Sequence, residues 1–191
     1  MNLTSMLSIL SKPLYHGTIV PFARIDVSRG KARRDFGRGF YMAVSASHAI
    51  GMMHKKYREA ASRRRDIHTD DLKETLYRVR LKPDVVNSLR VKVFESADIE
   101  WLDFILMCRA SDGVPHDYDL VIGPTTDDDT MMALRFYLDG AYGMPGSESV
   151  KRFLLQVLET ENLGVQCHIG NQSVADRVVD SIVTVDWREF R

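Results

Sequence analysis

Short segments that alternate apolar and polar residues are interleaved with longer segments of helical period, in no regular order. That irregular interleaving constrains the fold more than any single residue does. Pro13 to Thr18 reads as a first strand and Phe40 to Val44 as a second. Ser45 or Ser47 can cap a helix from about His48 to Arg64, with Ala49, Met52, Met53 and Tyr57 near a 3.6-residue period. Glu74 to Leu81 alternates, with Tyr77, Val79 and Leu81 on one face, and Leu89, Val91 and Val93 repeat the pattern after a turn at Pro83-Asp84. Further helices are predicted over 96–109, 127–138, 148–158 and 171–179, and further strands over 118–122, 165–169 and 182–185. A doubly wound sheet needs a steady strand–helix rhythm, which is missing here, so the fold class is α+β.

The 191 residues suit one domain spanning 1–191. Lysines and arginines number 26 and so do aspartates and glutamates, so no global basic field exists to gather nucleic acid. Cys108 and Cys167 have no metal-type spacing, and Cys108 in its apolar helical run reads as a small buried hydrophobe. No disulfide framework, no signal peptide and no membrane span is predicted, which points to a soluble protein of the reducing cytoplasm. The charged connector Arg63-Arg64-Arg65 to His68, Asp70 and Asp71 reads as solvated surface.

Two stretches carry groups suited to chemistry: Leu14-Tyr15-His16-Gly17-Thr18, and Asp35-Phe36-Gly37-Arg38-Gly39-Phe40-Tyr41. On an extended chain His16 and Thr18 point one way and Tyr15 and Gly17 the other. His16 can bond a ribose hydroxyl, and Gly17 lets the backbone approach a ligand amide. Gly37 and Gly39 loosen a loop, after which Phe40 and Tyr41 offer aromatic faces on which a flat ring can stack. Each stretch alone also fits an ordinary strand or turn. Neither is a phosphate loop or a three-glycine dinucleotide fingerprint. No metal site is expected: His48 and His54 lie six apart, off the spacing of a helical metal pair, and His68 and His116 sit in polar connectors.

In combination, these stretches and the helix that follows them resemble the ADP-ribosyltransferase superfamily, in its diphtheria-toxin-like branch. The chain is most similar to an uncharacterised bacterial domain family set beside that superfamily. The similarity continues through Glu100-Trp101-Leu102-Asp103-Phe104, Asp117 to Pro124, Asp127-Asp128, Phe136 to Gly140 and Gln166. What the resemblance implies is a split β-sandwich holding NAD, with no metal. His16 would bond the adenosine ribose, Gly17 would clamp the carboxamide, and Tyr41 would stack on the nicotinamide. Thr18, Gly39 and Phe40 would complete the binding set, and Gln166 would take the third catalytic position.

Those transferases usually carry a glutamate where this chain has Gln166. A carboxylate stabilises the positive charge that grows on the ribose as the nicotinamide bond breaks; a glutamine accepts a hydrogen bond but carries no charge. Asp127 and Asp128 are the candidate substitute acids, although both also suit a helix start. Arg33 or Arg34, in a basic loop, would steer the pyrophosphate, and His168 lies close enough in sequence to Gln166 to approach the cleft.

The expected activity is transfer of ADP-ribose from NAD to a protein side chain or a nucleic-acid base. The resemblance also implies the toxin of a toxin–antitoxin pair, with an antitoxin partner, or an effector delivered into a target cell. Two alternatives stay open: a non-catalytic nucleotide-binding or protein-interaction module, and an NAD hydrolase with water as acceptor.

Overall fold

A computed structural model describes residues 8–63, 72–126, 128–158 and 163–190. The 64–71 connector, with His68, therefore lies outside the described residues. Among the described residues the fold is α+β: seven strands in one sheet, with helices on both of its faces. In chain order the elements are β1 (Leu14–Thr18), β2 (Phe40–Ala43), α1 (Ala46–Arg63), β3 (Thr75–Leu81), α2 (Pro83–Val86), β4 (Val91–Val93), α3 (Ile99–Ala110), β5 (Leu120–Pro124), α4 (Asp128–Leu138), α5 (Glu148–Val157), β6 (Val165–Ile169), α6 (Gln172–Val178) and β7 (Val179–Val185). The strand order is β4-β5-β6-β2-β1-β3-β7, antiparallel throughout except for the β4–β5 pair.

Several boundaries depart from the sequence-based expectation: β5 lies two residues later and takes in Gly123 and Pro124, and α3 starts at Ile99 rather than at 96. Pro83-Asp84 opens a one-turn helix rather than a plain turn, since proline at the first helical position has its φ already set and lacks an N–H that would go unused there. The last strand starts at Val179, three residues early, because the C-cap of α6 is already extended (φ −74, ψ 120) and runs directly into pairing with Leu81.

Alternation along the central strands divides the core between the two faces of the sheet. One face presents Leu14, Phe40, Met42, Val79, Ile122, Cys167 and Ile169, covered by Val174, Ala175 and Val178 of α6. The opposite face is covered by two separate groups of helices. Over β1, β2 and β3, Ala49, Ile50 and Met53 of α1 pack on Ala43 and Leu76. Over β5 and β6, Trp101, Leu102 and Ile105 of α3, with Leu134 and Tyr137 of α4 and Leu154 of α5, pack around Phe36 and Val121. Asp98 caps α3 by accepting from the Trp101 N–H at 2.9 Å, and the Trp101 indole donates to the Pro124 carbonyl at 3.2 Å, which ties that helix to the end of β5. Among the described residues no helix is long and apolar enough to cross a membrane.

α1 reaches across the β1–β2 junction to Ala43 of β2, and that junction is the thinnest pairing in the sheet. β1 pairs with β3 through five residues, and β2 with β6 through four, yet β1 and β2 share the single pair Tyr15↔Ala43.

Candidate active site at the sheet seam

Extending the antiparallel register by two residues would set Gly17 opposite Tyr41, and there the ladder gives way to side chains. The Tyr41 carbonyl accepts from His16 Nδ1 at 2.7 Å, and the Gly17 carbonyl accepts from Lys56 Nζ at 3.2 Å. A backbone seam thus opens at the His16-Gly17 end of β1. Gly17 is required by packing rather than by φ: a Cβ there would sit 2.2 Å from the Ala49 carbonyl oxygen and 2.9 Å from Met53 Cβ of α1. Lys56 belongs to the same helix, so the close approach that Gly17 permits also brings an ammonium to the seam.

His16 is half-buried, stacked on Phe40 at 4.5 Å and edge-on to Phe22 at 5.7 Å. Burial first, and then the Lys56 charge, pull its pKa down to about 4, so the ring is neutral at pH 7. Its Nδ1 faces a carbonyl and must carry the proton, which leaves Nε2 as an acceptor. Burial, followed by the charges of Arg34 and Lys31, also lowers the Lys56 pKa. Of the two arginines expected to steer an anion, Arg34 is therefore close enough to act on Lys56, whereas Arg33 (φ 57) pairs with Asp112 at 2.9 Å. Thr18 bonds locally to Val20.

Phe40 and Tyr41 are neighbours on β2, so their rings lie on opposite faces of the sheet. Phe40 joins His16. Tyr41 joins Phe36 and His168, with ring centroids 6.4 Å and 4.7 Å away. The Tyr41 hydroxyl donates to the Gly37 carbonyl at 2.6 Å and accepts from the Phe36 N–H at 3.0 Å, closing the 37–41 loop on itself. Burial, reinforced by the Asp35 charge, holds its pKa well above the usual tyrosine value. The two loop glycines serve different ends. Gly37 has φ +86, which favours glycine, while a Cβ on Gly39 would lie 2.2 Å from His168 Nε2.

Gln166 lies on the Tyr41 side, paired with Ala43 on one neighbouring strand and Gly123 on the other. Its amide donates to Asp35 Oδ2 at 2.9 Å. Asp35, only 6% exposed, is the centre of this side of the site. Its Oδ2 also accepts from the Thr126 N–H at 3.0 Å, and its Oδ1 accepts from the Thr126 hydroxyl at 2.8 Å and from the Arg109 guanidinium. Arg109 reaches the Thr126 hydroxyl as well, at 2.8 Å. The chain thus brings Gln166, Tyr41 and His168 together on one face and sets the His16 ring on the other. A ligand touching all of them would have to lie across the open end of the seam.

Asp127 lies outside the described residues. Asp128 begins α4. His168 has Nε2 3.2 Å from the Arg38 carbonyl and a buried Nδ1 without a hydrogen-bond partner; burial draws its pKa down to about 3. His54 pairs with Glu74 at 2.6 Å. Among the described residues no three His, Cys, Asp or Glu side chains gather as a metal set.

Sequence reasoning passes over Asp35, Arg109 and Thr126 as functional groups. The one signal for them is an acid set directly before an apolar Phe36 in an otherwise basic loop.

A family model described as "Protein of unknown function (DUF3990)" matches residues 13–178, which run from the first strand through α6. No curated protein and no solved structure matches the chain.

Proposed function

We propose, for a chain that belongs to the DUF3990 family of proteins of unknown function, that it is an NAD-dependent ADP-ribosyltransferase with its sheet split at the β1–β2 seam. In this reading the bond between nicotinamide N1 and ribose C1′ breaks, with its electron pair leaving on the nicotinamide. A nucleophile on a protein side chain or a nucleic-acid base then bonds to C1′ and loses its proton.

The observation that supports this reading is the seam itself. Two central strands part after one register pair, and the Gly17 carbonyl meets the Lys56 ammonium instead of a β2 residue, while Gly17 stays in register with Leu76 of β3. A planar carboxamide needs such an opened edge. The neutral His16 ring, with its proton fixed on Nδ1, offers Nε2 as an acceptor for a ribose hydroxyl. Lys56, with Arg34 and Lys31 near enough to depress its pKa, makes the Gly17 edge positive and suited to a diphosphate. A protein antitoxin covering this edge belongs to the same reading.

A second reading, a nucleotide-binding module without turnover, is favoured by one observation. Gln166 is uncharged, and the buried carboxylate bonded to it, Asp35, is already paired with Arg109.

Purified protein incubated with NAD labelled in its adenylate half, with and without cell extract, tests both. Free nicotinamide together with label on a macromolecule supports transfer. Free ADP-ribose without labelled macromolecule selects the hydrolase. Binding without nicotinamide release selects the module, and no binding at all overturns the reading of the seam.

A further inference from the structure

The four hydrogen bonds at Asp35 explain why position 166 carries a glutamine. All four partners are donors: Arg109, the Thr126 hydroxyl, the Thr126 N–H and the Gln166 amide. A carboxylate is an acceptor only and accommodates about four such bonds. Asp35 is therefore saturated, and its share of the bonding at position 166 requires an N–H. An ionised glutamate there would withdraw the donor and set a second negative charge against Oδ2, in a site where the carboxylate is almost wholly removed from water.

A primary amide bonded in this way has its two ends fixed. With Nε2 committed to Asp35, the carbonyl Oε1 of Gln166 is the end turned away from the carboxylate. We propose that Asp35 is the positioning residue of this site: it anchors the Gln166 amide so that the carbonyl is what meets the ribose 2′-hydroxyl. This rests on the NAD reading of the seam. It gives Asp35 a role through Gln166, with no contact to substrate.

Three variants should respond unequally. In Asp35→Asn, the new carboxamide nitrogen can stand where Oδ2 stood, at the loss of the bond from the Thr126 N–H. Gln166 then inverts, turns Oε1 inward and presents N–H groups to the hydroxyl. In Gln166→Glu, the new carboxylate faces Asp35 and either repels it or takes up a proton. The double variant combines the two changes. The amide introduced at position 35 donates to one oxygen of the carboxylate introduced at position 166. The other oxygen is left facing outward as an acceptor, which restores the native polarity toward the hydroxyl while the Thr126 N–H stays without its Asp35 acceptor.

The test is nicotinamide release by the full chain over a range of NAD concentrations, with urea unfolding of each variant beside it. Asp35→Asn is expected to lower kcat by about 10–100-fold, the usual effect of removing an outer support, with KM within about threefold of wild type. Gln166→Glu is expected to lose a similar factor, and the double variant to regain at least about tenfold over Asp35→Asn. A purely structural role for Asp35 would lower stability without the recovery of kcat. Wild-type turnover with no recovery in the double variant, or an Asp35→Asn kcat within about twofold of wild type, overturns the positioning role alone. A wild-type protein that releases no nicotinamide overturns the enzymatic reading, and this proposal with it.

Discussion

His16 Nδ1 lies 2.7 Å from the carbonyl oxygen of Tyr41, and this side-chain bond replaces the backbone ladder where β1 and β2 separate. The two residues are 25 apart in sequence and hold opposite halves of the sheet. A neutral imidazole serves as the clasp because protonation would oppose the nearby Lys56 ammonium and charge a ring packed between Phe22 and Phe40.

Acid should loosen this clasp. The folded-state pKa of about 4 for His16 lies below the ordinary histidine value of 6.5. Above pH 6.5 neither the folded nor the unfolded form holds the proton, and stability is full. As pH falls below 6.5 the unfolded chain binds a proton that the native ring refuses, so stability declines until the native ring also titrates near pH 4. The loss is about 3 kcal/mol across that window. His168, drawn down to about 3, adds a loss of the same sign that extends to lower pH. Urea unfolding at about pH 7.5, 6 and 5 measures the slope. His16→Asn keeps a donor toward Tyr41 and should flatten it; equal slopes in the two proteins would contradict the role given to His16.

Gly17 and Gly39 should tolerate no side chain, for steric rather than conformational reasons. An added Cβ meets the Ala49 carbonyl at 2.2 Å in one case, and His168 Nε2 and the Ile169 carbonyl at 2.2 Å and 2.5 Å in the other. Relief requires backbone to move, so each Gly→Ala variant should lose about 1–3 kcal/mol. Gly51, on the exposed side of α1 with open space where a Cβ would stand, is the control. Gly51→Ala should hold or raise stability, by up to about 1 kcal/mol, because alanine favours a helix interior. The comparison is made by chemical denaturation of the three variants.

Much of the sheet is legible in the sequence because its strands are covered on at least one face and alternate accordingly. Tyr77, Val79 and Leu81 fall on one face as the pattern requires, and Val165 to Ile169 is delimited to the residue. The seam motifs are legible too, since Gly17, Gly39 and Tyr41 lie within short stretches. The Asp35 hub is not. Its bonds to Arg109, Thr126 and Gln166 span 74, 91 and 131 residues, and no local pattern encodes a contact that only tertiary packing creates. For the same reason the sequence does not reveal that the His16 and Tyr41 rings lie on opposite faces. Alternation fixes sides within a strand but not between strands whose register is unknown.

Both cysteines should be silent toward thiol reagents in the native state. Cys108 and Cys167 are fully buried, and burial pushes each thiol up to about 12, so almost no thiolate exists at pH 7. Cys108 lies on α3, which packs over one face of the sheet, while Cys167 of β6 points into the core on the other. Labelling by a disulfide reagent should therefore wait for global opening and proceed at one rate for both. Two separate rates would mean that one side of the sheet opens independently of the other.

Removing the cation from the Asp35 hub should be the most damaging single change at the site. Among the described residues, Arg109 supplies the positive charge bonded to a carboxylate that is almost wholly withdrawn from water, and its side chain is itself only 18% exposed. Arg109→Met keeps much of the apolar stem but leaves that carboxylate without its counter-charge, a change that typically destabilises by about 3–5 kcal/mol. Pairing it with Asp35→Asn removes the stranded charge, so the double variant should be more stable than Arg109→Met alone. Denaturation of the two single variants and the double variant forms a thermodynamic cycle. A double variant no more stable than Arg109→Met would mean that the pair is not coupled, and that Thr126 and Gln166 hold the Asp35 carboxylate without help from the guanidinium.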